Sequence, residues 1–292
     1  VTGVIVKALS GFYYVKQDDK IIECRASGLF RKKKESLLVG DKAEFDLRPD
    51  DEGYITKILP RKNSLIRPPV ANIDNLFIIS SAVCPKPNLS VIDKLIAICE
   101  KNNIEPIIVF NKSDLEDLED YVKIYKEAGY TSFSISCKDN IGIDKVRDLI
   151  KGKISVFCGN SGVGKSSLLN LLDDNLDIKT GEVSEKLGRG RHTTRHTEFY
   201  FFGDDTMVAD SPGFSSIETE KMAVIKKDEL ELYFREFEDY LGSCQFTGCS
   251  HTKEKGCKII EAVENGKIAK SRFDSYLSLY EDAKKLKDWE ID

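Results

Sequence analysis

No stretch of this 292-residue chain approaches the roughly 20 consecutive apolar residues that a helical membrane span requires, and its longest apolar runs, such as Leu76–Ile79, are strand-sized. Val1 opens directly into alternating, strand-like sequence, so no basic-then-apolar leader is expected. The expectation is a soluble, cytoplasmic protein with no membrane partner. Internal repeats and low-complexity tracts are missing too, and 41% hydrophobic with 32% charged residues excludes wholesale disorder. Histidine is scarce, with three in the chain, and each lies in a segment that matters below.

Cysteine is not scarce, but a disulfide framework is unnecessary in a chain long enough to bury a sizeable core. Cys24, Cys84, Cys99, Cys137 and Cys158 are scattered singly, mostly in apolar surroundings where a thiol behaves as a small hydrophobe. Cys244, Cys249 and Cys257 cluster around His251. That pattern suits a reducing compartment and a metal site.

Net charge is −5, unevenly spread: +3 over residues 1–65, −6 over 66–220 and −2 over 221–292. The overall sign does not exclude a nucleic-acid partner, because phosphate binding needs only a local basic face.

The first 60 residues read as five short β-rich segments, Val1–Lys7, Gly11–Val15, Ile21–Ala26, Lys42–Leu47 and Tyr54–Leu59, separated by turn formers. That count predicts a small OB-like β-barrel. Pro60 to Asp74, with Arg67-Pro68-Pro69, reads as a linker because consecutive prolines interrupt a ladder. From Asn75 onward strands alternate with helical segments. The strands are Leu76–Ala82, Pro106–Phe110, Ser132–Ile135, Ile154–Cys158, Glu198–Phe202 and Met207–Ala209, and the helices Ser90–Cys99, Glu119–Ala128, Ile143–Ile150 and Ser167–Leu172. Alternation of this kind predicts a mainly parallel sheet covered on both faces. The last 70 or so residues are polar and helix-rich. The expected fold is multidomain α/β: barrel 1–65, nucleotide domain 66–220, helical zinc-binding domain 221–292.

Gly159-Asn160-Ser161-Gly162-Val163-Gly164-Lys165-Ser166 follows the strand Ile154–Cys158 and opens a helix through Ser167. This is the P-loop pattern in the context it requires. Glycines let successive N–H groups turn inward toward phosphate oxygens, the helix N-terminus adds positive dipole, and Lys165 adds a point charge. Ser166 is the expected Mg²⁺ ligand. Asn111-Lys112-Ser113-Asp114, after Pro106–Phe110, resembles the NKxD base-recognition motif of GTPases. The two acceptor oxygens of Asp114 match the two donors on guanine's Watson–Crick edge, a pair that adenine lacks. Ser136-Cys137-Lys138 resembles the SAK-type loop that also touches guanine.

Asp210-Ser211-Pro212-Gly213 resembles the DxxG motif, in which Asp210 would hold Mg²⁺ through water and the Gly213 N–H would sense the γ-phosphate. Gly188 to Thr194 has the composition of a switch, with Thr194, or its neighbour Thr193, available to close on Mg²⁺. Base recognition thus precedes the P-loop, which precedes DxxG, whereas small GTPases run P-loop, DxxG, NKxD. The sequence looks like a circularly permuted GTPase. Cys244-x4-Cys249-x-His251-x5-Cys257 supplies three thiolates and an imidazole, a closed set that suits one structural Zn²⁺.

Taken together, Asn111–Asp114, Gly159–Ser166, His192-Thr193-Thr194, Asp210–Gly213 and the Cys244–Cys257 spacing resemble the bacterial ribosome small-subunit-dependent GTPases of the RsgA/YjeQ type, over nearly the whole chain. The resemblance implies a factor for late maturation of the 30S subunit, touching its 16S rRNA and hydrolysing GTP to GDP with stimulation by that particle. Phe214 follows Gly213 where Ras-like proteins carry a water-orienting glutamine, so slow intrinsic hydrolysis is expected, with His192 rather than His196 the candidate catalytic group. An RNA contact would draw on the Arg31–Lys34 run, and on those of Phe12, Tyr13, Tyr14 and Tyr54 that face outward. Phe273, Tyr276, Leu277 and Tyr280 have helical spacing and are expected to pack against the sheet domain. A monomer is the default. The rival readings are a zinc-stabilised RNA-binding protein with a structural nucleotide, and a P-loop kinase or ATPase, against which Asp114 argues.

Overall fold

The computed structural model describes residues 1–28, 30, 36–48, 52–173, 199–203, 205–210 and 224–286. Five strands, β1 (Thr2–Leu9), β2 (Phe12–Gln17), β3 (Lys20–Ala26), β4 (Lys42–Leu47) and β5 (Gly53–Ile58), close into a barrel in the order β1-β2-β3-β5-β4. Alternation along the strands sends Ile5, Val15, Cys24, Phe45 and Ile55 inside. Phe30 and Leu37 join the same core.

The stretch from Pro60 to Asp74 is not a loose linker. It contains a short antiparallel pair, β6 (Ser64–Leu65) with β7 (Val70–Ala71), and Leu65, Val70, Ala71 and Ile73 are fully buried. Two-residue strands need little ladder, so Pro68-Pro69 at the turn does no harm. The polar groups of this strap are met by side chains. Arg61 donates to both oxygens of fully buried Asp41 at 2.6 and 2.8 Å, Asn72 Nδ2 donates to the Gly40 carbonyl at 2.8 Å, and Asn63 exchanges two bonds with Ile73. Asp74 then accepts from the Ile154 N–H at 2.8 Å in the next domain. Barrel and sheet are thereby joined through a packed, hydrogen-bonded wedge. Tyr14 packs against the sheet domain's core and Lys16 lies over the Phe201 ring at 4.8 Å.

The central sheet runs β10-β9-β8-β11-β13-β12, with β8 (Asn75–Ser81), β9 (Glu105–Asn111), β10 (Thr131–Ser134), β11 (Ile154–Cys158) and β13 (Met207–Asp210) parallel. Only β12 (Phe199–Phe201), at one edge, is antiparallel to its neighbour. Strand β8 is buried on both sides, and its alternate residues serve different faces. Leu76 and Ile78 meet α1 (Leu89–Lys101) and α2 (Glu119–Glu127), while Phe77 and Ile79 meet α3 (Ile143–Ile150) and α4 (Lys165–Leu172). In α1 the buried Ile92, Leu95, Ile96 and Cys99 follow helical spacing, and Asn88 Oδ1 caps the first turn by accepting from the Val91 N–H. The α4 helix begins at Lys165, two residues earlier than the sequence pattern predicts.

The C-terminal residues form two 3-10 segments, Leu230–Tyr233 and Arg235–Tyr240, followed by α5 (Lys258–Glu264) and α6 (Lys270–Lys285). Phe273, Tyr276, Leu277 and Tyr280, expected to pack against the sheet domain, pack instead in this domain's own core, where Tyr276 meets Phe234 and Phe237 and Phe273 stacks on Tyr276. Helix α6 lies against α1, and the buried Arg272 crosses that seam. Among the described residues, no helix is long and apolar enough to cross a membrane.

Candidate functional site

Because β8, β9, β10, β11 and β13 are parallel, the segments at their carboxyl ends gather at one edge of the sheet, where open α/β folds bind ligands. Asn111–Asp114 follows β9, Ser136–Lys138 follows β10, Gly159–Ser167 follows β11, and Asp210 ends β13. The sequence-predicted groups that lie within the described residues therefore converge.

The P-loop threads a space that no side chain could share. A Cβ at Gly159 would fall 2.2 Å from the Ile79 carbonyl oxygen, and one at Gly164, where φ is +98°, would fall 2.2 Å from Asn111 Nδ2. Glycine is required at both, and helix α4 starts straight after the second. Lys165 folds back so that Nζ donates to the Gly159 carbonyl at 2.8 Å. Burial lowers its pKa, against the pull of Asp210. Asp210 in turn is pushed up to about 6 by burial, with the Lys165 charge opposing. Its Oδ1 is buried without a hydrogen-bond partner. A buried carboxylate oxygen left orphaned beside a lysine and a phosphate-type loop fits a group that binds a cation through water.

Asn111, 2% exposed, braces three loops at once. Its Nδ2 donates to the Val163 carbonyl at 2.8 Å, and its Oδ1 accepts from the N–H groups of Lys112 at 2.8 Å and Cys137 at 3.2 Å. Asp114 accepts at Oδ1 from the Ser136 hydroxyl at 2.8 Å, while Lys138 Nζ lies 3.9 Å from its Oδ2. Ser136 Oγ accepts in turn from the Asp139 N–H at 3.1 Å, and of the two carboxylates in reach of its proton Asp114 at 2.8 Å is nearer than Asp139 Oδ2 at 3.4 Å. Lys112 sits at φ +67° and stretches Nζ to the carbonyls of Val83 at 3.1 Å and Cys84 at 3.3 Å. Sequence reasoning missed that loop, since nothing in Val83-Cys84-Pro85 resembles a motif. Burial pushes the Cys137 thiol up to about 11, which keeps it neutral beside the Asp114 carboxylate.

Gly188 to His196, with His192, Thr193 and Thr194, lies outside the described residues, as do Ser211 to Phe214 with Gly213, and the Arg31–Lys34 run.

Far along the chain, one sulfur from each of Cys244, Cys249 and Cys257 and a ring nitrogen of His251 lie within 4.8 Å of one another. This cluster could bind one metal ion. His251 Nδ1 is 3.6 Å from Cys244 Sγ and 3.3 Å from Cys257 Sγ, and the Lys258 N–H points at Cys244 Sγ at 3.3 Å. Three soft donors and an imidazole, mostly buried and already converged, suit a closed four-coordinate site. Glu254 organises the intervening turn by accepting from the N–H groups of Ser250, Thr252 and Lys253 and from the Ser250 hydroxyl. Burial works upward on that carboxyl, but these bonds hold it down to about 2.

On the barrel, of the four aromatic candidates, Tyr13 packs on the barrel core and Tyr14 on the sheet domain. The other two make a ladder with arginines. Arg25 lies over Phe12 at 4.9 Å, Arg25 pairs in register with Tyr54 on β5, and Arg48 lies over Tyr54 at 5.0 Å.

Two sequence profiles match the chain: that of the RsgA GTPase over residues 58–220, and that of the RsgA N-terminal domain over residues 2–55. Among curated proteins, the small ribosomal subunit biogenesis GTPase RsgA of Caldanaerobacter subterraneus subsp. tengcongensis is 46% identical over 287 residues, covering 97% of this chain and 96% of the relative. The protein of the same name from a Geobacillus species is 45% identical over 291 residues, covering 98% of each. Among solved structures, YjeQ from Thermotoga maritima superposes with a TM-score of 0.82 at 33% identity, over 98% of this chain and 99% of that one. YloQ, described as a circularly permuted GTPase, gives 0.78 at 36% identity over 98% and 96%.

Proposed function

The chain belongs to the RsgA GTPase family and is a GTP hydrolase; we propose that it binds the small (30S) ribosomal subunit, assists its late maturation, and hydrolyses GTP to GDP and phosphate faster when docked there. The observation that carries the nucleotide reading is the Asn111 brace, which locks the guanine-type loop, the P-loop and the Ser136–Lys138 loop into one frame.

In this reading residues 1–65 form the RNA-binding barrel, 66–220 the circularly permuted GTPase domain and 221–292 the zinc-binding helical domain. Asp114 accepts from the two donors of guanine's Watson–Crick edge, with Ser136 aiming it and Lys138 nearby. Asn111, Lys112, Ser113 and Cys137 complete the base pocket. Gly159, Asn160, Ser161, Gly162, Val163 and Gly164 wrap the phosphates with backbone N–H groups, Lys165 leaves the Gly159 carbonyl for phosphate oxygens, and Ser166 and Ser167 lie on the first turn of α4. Ser166, Thr194 and Asp210 would hold Mg²⁺, which when bound with GTP neutralises charge on the β- and γ-phosphate oxygens. Gly213 would sense the γ-phosphate, and His192 would orient the attacking water in place of the glutamine that Phe214 excludes.

Cys244, Cys249, His251 and Cys257 would hold one structural Zn²⁺, whose thiolate bonds stabilise a domain of small core. The Phe12–Arg25–Tyr54–Arg48 ladder supports a contact with 16S rRNA, since alternating rings and guanidinium planes offer stacking and charge together. The factor is expected to act in the cytoplasm as a monomer.

GTP turnover measured with and without purified 30S subunits, for wild type and His192→Ala at fixed salt, tests this directly. Strong stimulation that His192→Ala abolishes, with nucleotide and subunit binding intact, is the expected result. Stimulation that survives the substitution removes His192 from catalysis, and no stimulation in wild type overturns the ribosomal role.

A further inference from the structure

The three sulfurs face one side of the His251 ring; the other side is held by a residue 20 positions earlier. Glu231 Oε2 lies 2.7 Å from His251 Nε2, and His251 is 3% exposed. A carboxylate can only accept, so the nitrogen it touches must carry the proton. A neutral imidazole then presents its lone pair at Nδ1, the atom 3.3 Å from Cys257 Sγ and 3.6 Å from Cys244 Sγ. The ring cannot turn freely, because Phe237 and Tyr276 pack against it at 6.3 and 6.5 Å between centroids.

The segment that carries Glu231 is itself held in place. It is the 3-10 segment Leu230–Tyr233, whose Leu230 is 1% exposed in the domain core. The preceding Glu229 pairs with Lys101 of α1 at 2.7 Å and accepts from the Tyr233 hydroxyl at 3.1 Å. A carboxylate carried on a segment anchored at Leu230 and Glu229, and bonded to the outer nitrogen of a histidine, is the arrangement that orients metal-ligating imidazoles and raises their donor strength.

We propose that Glu231 is a positioning residue for the metal centre, holding His251 as the Nε2–H tautomer so that Nδ1 is the ligand, and thereby tightening the Cys244–Cys249–His251–Cys257 site. This rests on the reading of that cluster as a metal site. It also makes the metal and α1 share one short element, since Glu231 and Glu229 lie two residues apart on opposite contacts.

Chelator competition on the full-length protein, with Zn²⁺ and with Co²⁺ as a visible probe, reads the effect. Wild type, Glu231→Gln and Glu231→Ala are compared, with GTP binding and circular dichroism of the loaded proteins as checks on folding. The expected result is a loss of affinity of about 10- to 100-fold in Glu231→Ala. The loss should be smaller in Glu231→Gln, whose amide oxygen still accepts from Nε2–H. Nitrogen-15 NMR of loaded wild type should place the His251 proton on Nε2, and the Glu231→Ala protein should show altered Co²⁺ ligand-field bands at full occupancy. Equal affinities for all three proteins, or ligation through Nε2, overturn the role of Glu231 while leaving the metal site standing. Failure of wild type to bind either ion overturns both, so the two failures are told apart by the wild-type titration alone.

Discussion

Arg272 of α6 donates from Nη1 to Asp93 of α1 at 2.7 Å, with the arginine side chain 1% exposed and the aspartate wholly buried. The guanidinium also grips Glu236 with two bonds, at 2.7 and 3.1 Å, and lies over the Phe234 ring at 4.7 Å. Burial pushes the Asp93 carboxyl up, against the pull of Arg272. One cation therefore serves two carboxylates from different parts of the chain, at the seam between the nucleotide-binding sheet and the C-terminal helices.

Arg272→Met should leave those carboxylates facing each other without a counter-ion and lower stability by about 3–5 kcal/mol. Asp93→Asn, which keeps an acceptor, should cost less. Urea unfolding of both variants and of the double mutant gives the coupling energy. A loss under about 1 kcal/mol for Arg272→Met would count against the seam depending on this residue.

Asp114→Asn replaces one of two acceptors with a donor that faces guanine's own donors. GTP affinity should fall by about 100-fold, on the order of 3 kcal/mol. Ser136→Ala, which only frees the carboxylate Ser136 aims, should fall by much less. Isothermal titration with GTP and ATP checks both, and an unchanged preference for GTP in Asp114→Asn would remove Asp114 from base recognition.

Asp210 has a folded-state pKa of about 6, raised by burial, against about 3.9 in an unfolded chain. Between these values the folded protein holds a proton that the unfolded chain has released. Stability of the nucleotide-free protein should therefore be greatest below about pH 4 as far as this group is concerned. It should decline by up to about 3 kcal/mol as pH rises through 6. Asp210→Asn should flatten that decline, which unfolding midpoints across pH 4–7 would reveal. An unchanged slope would mean that some other group sets it.

Removal of metal by a strong chelator, or Cys257→Ser, should loosen residues 224–286 while leaving barrel and sheet intact. The C-terminal core depends on the turn that Cys244, Cys249 and Cys257 border, whereas the other cores are closed by strands. Amide exchange should show lost protection in α5 and α6 and unchanged protection in β8 and β11. Uniform loss across all three would show that the domains unfold as one.

Much of the site was legible because its chemistry is carried by short segments directly after buried strands. Asn111–Asp114 and Gly159–Ser166 could be placed from strand ends alone, and parallel pairing did the rest. What the sequence concealed depends on partners far apart in the chain. Arg272 and Asp93 are 179 positions apart and look like ordinary solvated helix residues, and Glu231 lies outside the Cys/His cluster that it touches. The strap at 60–74 was hidden differently. Its prolines suggested a break, while its order comes from Arg61, Asn63 and Asn72 satisfying backbone and carboxylate groups that no period or propensity announces.

That strap turns the molecule into a gauge. With Asp41 clamped by Arg61, Val70 bridged to Val39 and Lys16 resting on Phe201, the barrel is held to the strap and to the sheet at several points. Those contacts set the separation between its arginine–aromatic ladder and the nucleotide crevice. Any particle that engages both must present two patches at that spacing, so an assembly whose patches are still misplaced would fail to seat the factor however well each patch fits by itself.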